Sequence, residues 1–103
     1  MKINLKTNEL VMKAADSDLC INGNEKVRGK LILTNQRIYF KSINGHTGEY
    51  DLEIDPKTIS DVIFFNTWIV LSNGLNLILD QGNELRFLIK NRNLIGSMIA
   101  RMC

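Results

Sequence analysis

Residues 29–40 read GKLILTNQRIYF. Side chains alternate in character on both sides of the polar pair Asn35-Gln36. Successive side chains of an extended chain point to opposite faces, so Gly29, Leu31 and Leu33 share one face, and Val27 joins them from upstream. Beyond the pair, Ile38 and Phe40 return on that same face. Two alternating runs, Val27–Thr34 and Arg37–Lys41, closed by a short polar turn spell a β-hairpin. Folding it about Asn35-Gln36 sets Lys30 against Lys41, Ile32 against Tyr39 and Thr34 against Arg37.

The period of two continues outward. Glu49–Ile54 alternates with Tyr50, Leu52 and Ile54 inward, and Asp55-Pro56 ends it because proline has no N–H for a ladder. Further strands are expected at Asp61–Phe65, Thr67–Leu71, Leu75–Asp80 and Glu84–Lys90. Asn73-Gly74 reads as a tight hairpin turn, and Gln81-Gly82-Asn83 as another, with Gly82 in the left-handed conformation. An early strand is expected over Glu9–Ala14, and the fold is expected to hold about seven strands. After Lys90 the pattern changes: Leu94, Ile95, Met98, Ile99 and Met102 recur at helical spacing, with Asn91 or Asn93 as N-cap.

So many antiparallel strands need their edges managed, and one helix cannot cover two open sheet faces. The fold class that follows is mainly β: a strongly bent sheet or partly open barrel, capped at one end by the C-terminal helix. The 103 residues fit a single domain, 1–103, and 45% apolar with 23% charged residues suits a globular chain. No apolar run is long enough for a transmembrane helix, and the opening MKINLKTNELVMK has no apolar core for a signal peptide, so a cytoplasmic location is expected.

The run Gly29–Phe40 resembles the signature hairpin of GRAM domains, which carry a G-K-L-x-L-T-N-Q-R-hydrophobic-x-F pattern. Asn8-Glu9 with Val11, Ile59-Ser60-Asp61-Val62, Asn73-Gly74-Leu75 and Asp80–Phe87 resemble the family's other elements in order, so the likeness spans roughly residues 5–101. It implies a pleckstrin-homology-like barrel of seven strands with a C-terminal helix. It also implies a non-enzymatic role, at intracellular membranes, phosphoinositides or protein partners. This chain has Leu94 and Ile95 where many members place an aromatic residue in the last helix.

Lys26, Arg28, Lys30, Arg37 and Lys41 fall together on the outer face of the first hairpin. Such a patch suits an anionic or phosphoinositide headgroup, or an acidic protein. Opposed like charges are destabilising, however, and burial of Tyr50, Leu52 and Ile54 turns Glu49, Asp51 and Glu53 to the same outer surface, with Asp51 or Glu49 near Lys41. Each cation near an anionic membrane contributes only about 1 kcal/mol, and these acids cancel most of the five. A charge-paired strand face is therefore the stronger expectation, with headgroup binding as the alternative.

Trp68-Ile69-Val70-Leu71 is the other unusual stretch, because strand parity lets only two of its side chains face inward. A two-residue turn at Asn73-Gly74 sends Ile69 and Leu71 outward, near Ile78 and Leu88; a three-residue turn swaps the roles and exposes Trp68 and Val70 instead. Trp68, Ile69, Leu71, Ile78 and Leu88 are the candidate surface for a protein partner or for self-association.

No catalytic constellation is legible. His46 stands alone in a glycine-flanked loop, Thr34, Ser42 and Ser72 lack the setting of a nucleophile, and Cys20 and Cys103 belong to no metal-ligand spacing. No cofactor, metal or small-molecule substrate is expected, and the net charge of +2 argues against nucleic acid. The function expected is that of an adaptor-like binding module.

Overall fold

The computed structural model describes residues 4–21, 25–43, 49–67 and 71–103. Seven strands form one antiparallel sheet: β1 (Val11–Cys20), β2 (Lys26–Thr34), β3 (Ile38–Ser42), β4 (Leu52–Ile54), β5 (Ile59–Thr67), β6 (Leu71–Leu79) and β7 (Glu84–Ile89). Their order across the sheet is β4-β3-β2-β1-β7-β6-β5, so β4 and β5 are the two edges and the sheet is open. Helix α1 (Arg92–Met102) packs on β5 and β6.

The first hairpin has the register expected, with Lys30 opposite Lys41 and Ile32 opposite Tyr39. Its inward residues Val27, Leu31, Leu33, Ile38 and Phe40 lie in the core. The rings of Phe40 and Phe87 meet at 5.8 Å, which joins β3 to β7 across the bend. Ile95 and Ile99 of α1 close the same core at spacing i, i+4, so one helical stripe does the capping. Asn91 occupies the N-cap position, but its side chain makes no capping hydrogen bond.

Several boundaries differ from the sequence reading. The strand expected at Asp61–Phe65 runs over Ile59–Thr67, and the ends of the one expected at Thr67–Leu71 belong to two strands, Thr67 to β5 and Leu71 to β6, with residues 68–70 outside the described ones. The first strand does not stop at Ala14; it runs from Val11 to Cys20, because its inward positions Ala15, Ser17 and Leu19 alternate in size and polarity rather than in hydrophobicity. The strand expected at Glu49–Ile54 shortens to Leu52–Ile54. Asn73-Gly74 is not a turn: β5 and β6 pair from Ile59 with Leu79 to Thr67 with Leu71, and both residues sit inside β6. Gly74 is there for space. A Cβ on it would overlap the ring and carbonyl oxygen of Phe65 on the neighbouring strand. Gly82, by contrast, does take φ of 86° in the turn between β6 and β7, as its position predicted.

Arg92 ties the start of α1 to this hairpin. Its Nη1 donates to the Phe65 carbonyl at 2.5 Å and to Asn66 Oδ1 at 2.9 Å, with the Gly74 carbonyl at 3.5 Å. The guanidinium also lies 5.0 Å from the centroid of the Phe64 ring. Hydrogen bonds from a charged donor contribute about 1.5–3 kcal/mol, so Arg92→Met is expected to lower unfolding free energy by about that much in urea titrations.

Candidate functional site

The hairpin register brings the cations together, and neighbouring strands then neutralise them. Lys41 Nζ lies 3.3 Å from Asp51 Oδ2, while Asp51 Oδ1 accepts from the Ser42 amide at 2.8 Å and the Ser42 hydroxyl at 2.9 Å. Those bonds, the Ser42 amide first, hold the Asp51 carboxyl below its ordinary range. Two further acids come from β1: Asp16 Oδ1 is 3.8 Å from Lys30 Nζ, and Asp18 Oδ1 is 3.6 Å from Arg28 Nε. Asp16 stands opposite Lys30 and Asp18 opposite Arg28 in the β1–β2 ladder. The alternation Asp16-Ser17-Asp18 was the signal for this pairing. Lys26 stands opposite Cys20 and has no carboxylate partner among the described residues.

Arg37 leaves the patch altogether. It is 8% exposed and grips Glu9, itself 4% exposed, through Nη2 to Oε1 at 2.6 Å and Nε to Oε2 at 2.9 Å. Glu9 Oε2 also accepts from the Thr34 hydroxyl at 2.6 Å, and Oε1 from the Lys6 amide at 2.8 Å. Arg37 Nη1 reaches Glu53 at 3.1 Å, its Nη2 donates to the Asn4 carbonyl at 3.0 Å, and its guanidinium lies 4.5 Å from the Tyr39 ring centroid. Arg37 holds the Glu9 carboxyl down to about 2, aided by Thr34 and Lys6 and opposed by burial; Glu9 in turn raises the Arg37 pKa. The segment before β1 thus folds over the turn of the first hairpin. Gln36 Nε2 donates to the Thr7 carbonyl at 3.0 Å, and Asn35 Nδ2 to that of Asn8 at 3.0 Å.

The other candidate surface is the outer face of β5, β6 and β7. Pairing sets Leu88, Gly74 and Phe65 in one row across the three strands, then Arg86, Asn76 and Ile63, then Glu84, Ile78 and Asp61. The Phe65 ring fills the space over Gly74, and the Arg86 guanidinium lies 5.6 Å from its centroid. Ile63 is 44% exposed, and Phe65, Ile78 and Leu88 are part-exposed. Ile78 and Leu88 therefore sit on a shared face with Ile63 and Phe65, two residues that sequence reasoning left out because the supposed turn at Asn73-Gly74 cut β5 from β6. Trp68 and Ile69 lie outside the described residues, as do the Leu71 side chain and His46.

Among the described residues no cluster of His, Cys, Asp or Glu suits a metal ion, and no helix is long and apolar enough to cross a membrane. Partial desolvation raises the thiol pKa of both free cysteines, the half-buried Cys20 and the exposed Cys103.

No protein-family model and no curated protein matches the chain. Solved structures do. The Vps36 N-terminal PH domain superposes with a TM-score of 0.73 at 17% identity, over 96% of this chain and 82% of that one. The C-terminal domain of an unknown protein from Leishmania infantum superposes with a TM-score of 0.76 at 13% identity, over 93% of this chain and 85% of that one. The fold is pleckstrin-homology-like. At such identities the likeness concerns the fold alone.

Proposed function

We propose that this chain is a non-enzymatic, cytoplasmic binding module that recruits a protein partner, or a second copy of itself, through the outer face of β5–β7. The observation that carries this reading is the set Ile63, Phe65, Ile78 and Leu88, spread over three adjacent strands around the Arg86–Glu84 pair. Part-exposed apolar side chains bordered by polar and charged ones suit a protein interface, whose apolar patch is ringed by a polar rim. Burying them fully would contribute on the order of several kcal/mol. The resemblance of Gly29–Phe40 to the GRAM hairpin supports the narrower assignment to that family.

The competing headgroup site has less to offer. Arg28, Lys30 and Lys41 already face carboxylates, and Arg37 is buried on Glu9. Lys26 alone of the five lacks one among the described residues, and a single cation near an anionic surface contributes about 1 kcal/mol.

Two measurements test the proposal. In co-sedimentation with phosphatidylserine and phosphoinositide vesicles, attraction at low salt is expected to vanish near physiological salt. Binding that persists there and disappears in Lys26→Glu/Arg28→Glu would make the basic face a headgroup site. In parallel, sedimentation velocity and quantitative capture from cell extract compare the wild type with Ile63→Asp/Ile78→Asp. Association that survives high salt and is lost in the double variant is expected; association unchanged by it would remove the β5–β7 face from consideration.

A further inference from the structure

We infer that a second surface, the groove between the first half of β1 and the last turns of α1, takes an extended acidic segment of a partner protein. That segment adds as a strand to the free edge of β1. It seats an apolar side chain among Met12, Met98 and Met102.

The sheet is incomplete at β1. On one side β2 pairs with it from Val11 to Cys20, but on the other β7 reaches only from Ser17 to Cys20, because β7 ends at Ile89 and the chain turns into α1. Among the described residues, the edge of Val11–Asp16 away from β2 has no strand against it. Six residues at the rise of a strand span about 20 Å, enough for a short peptide to pair with the main chain. The stretch holds no proline, which would block such pairing.

Beside that edge lies a cavity of about 270 Å³ lined by Met12, Leu33, Thr34, Asn35, Met98, Arg101 and Met102. Its shape begins with a β-bulge. The β1–β2 register shifts between Val11 and Lys13, leaving Met12 as the extra residue. Met12, 58% exposed, lines the cavity together with the fully buried Leu33. Met98 and Met102 lie one turn apart on α1, with the exposed Leu94 one turn before them. Three flexible thioethers suit side chains of varied shape. The volume is below the roughly 300–1,000 Å³ of small-molecule sites, so it fits a side chain of an incoming peptide rather than an independent ligand.

Charge chooses the occupant. Among the described residues, Arg101 is the only charged one lining the cavity, and its guanidinium donates to the Ser97 carbonyl, through Nε at 3.4 Å. Lys13 stands on the β1 stretch itself, opposite Leu33. Neither cation has a carboxylate partner among the described residues, so carboxylates on the incoming strand would meet unpaired positive charge. A second copy of β1 laid antiparallel about Met12 to Ala14 would instead set two Lys13 side chains opposite or diagonal on one face, a destabilising pair.

The test is an NMR titration of the isotope-labelled full chain with three synthetic peptides. They are an acidic one of sequence Glu-Leu-Asp-Val-Glu-Leu-Asp, its counterpart with lysine for every acid, and the acidic one N-methylated at alternate residues. The acidic peptide is expected to shift the amides of Val11–Asp16 and the end of α1. The lysine and N-methylated peptides are expected to bind at least about tenfold more weakly. Arg101→Glu, at an exposed position, is expected to reverse the charge preference with the remaining spectrum unchanged. No shifts at about 1 mM acidic peptide, equal binding of the lysine peptide, or indifference to N-methylation would overturn the inference. So would a dimer abolished by Met12→Asp in sedimentation. Shifts confined to the outer face of β5–β7 would overturn this inference and leave the function proposed above standing.

Discussion

Replacing Glu9 by alanine is expected to lower the melting temperature by on the order of 15 °C, the consequence of leaving a buried charge without its partner. Arg37 is closed in by Tyr39, Thr34 and the segment around Asn4, and after the change its one remaining carboxylate is Glu53, at 3.1 Å and half-exposed. The same substitution frees the Thr34 hydroxyl and the Lys6 amide that Glu9 accepts from. Acid should do by titration what the mutation does by removal. The folded state holds the Glu9 carboxyl at about 2 against an ordinary 4.5, so the folded form binds that proton more weakly than the unfolded chain does. Its contribution is present above about pH 4.5 and is lost as the pH falls toward about 2. Asp51, also depressed, adds a loss of the same sign. Melts followed by circular dichroism across that range should show a steep decline in wild type and a shallower one in Glu9→Gln. A Glu9→Ala protein that melts within a few degrees of wild type would show that the pair is not what pins the N-terminal segment.

Gly29→Val should cost about 2–3 kcal/mol, against the direction that strand propensity predicts. Glycine is poor in strands and valine good, so on propensity alone the change would gain up to about 1 kcal/mol. Gly29 pairs with Ser42, and a Cβ on it would overlap the Lys41 carbonyl oxygen and meet Phe40 Cζ at 2.6 Å. A flexible side chain yields to such contact; a backbone carbonyl and a ring fully inside the core do not. Urea unfolding should show a lower midpoint with an unchanged slope. Gly82→Ala is the matched control. A Cβ at Gly82 meets nothing within 4 Å, and the penalty there is only that of φ at 86°, on the order of 1–2 kcal/mol. Asn should relieve it at position 82 and do nothing at position 29.

The first hairpin was legible because everything that defines it is local: strict alternation, a two-residue polar turn and an apolar face that admits only one register. The acids near Lys41 followed by the same logic. Arg37 defeated it. Parity sends Arg37 to the outer face with Lys41, and nothing within a few residues says that this part of the face is covered. Its partner Glu9 lies 28 positions away. Asn73-Gly74 misled for the opposite reason: the dipeptide is a strong local turn signal, but its glycine answers a steric demand from Phe65 on another strand.

By itself the sequence determined the strand period, the first hairpin's register and the capping helix, because side-chain alternation and spacing are read from neighbours along the chain. Tertiary structure decided which charges are paired with one another, which outer residues of β5, β6 and β7 share a face, and where β1 has no strand beside it among the described residues. Those depend on the order of strands across the sheet. That order is fixed by how the whole apolar surface can be buried at once, and no short stretch of the chain carries it.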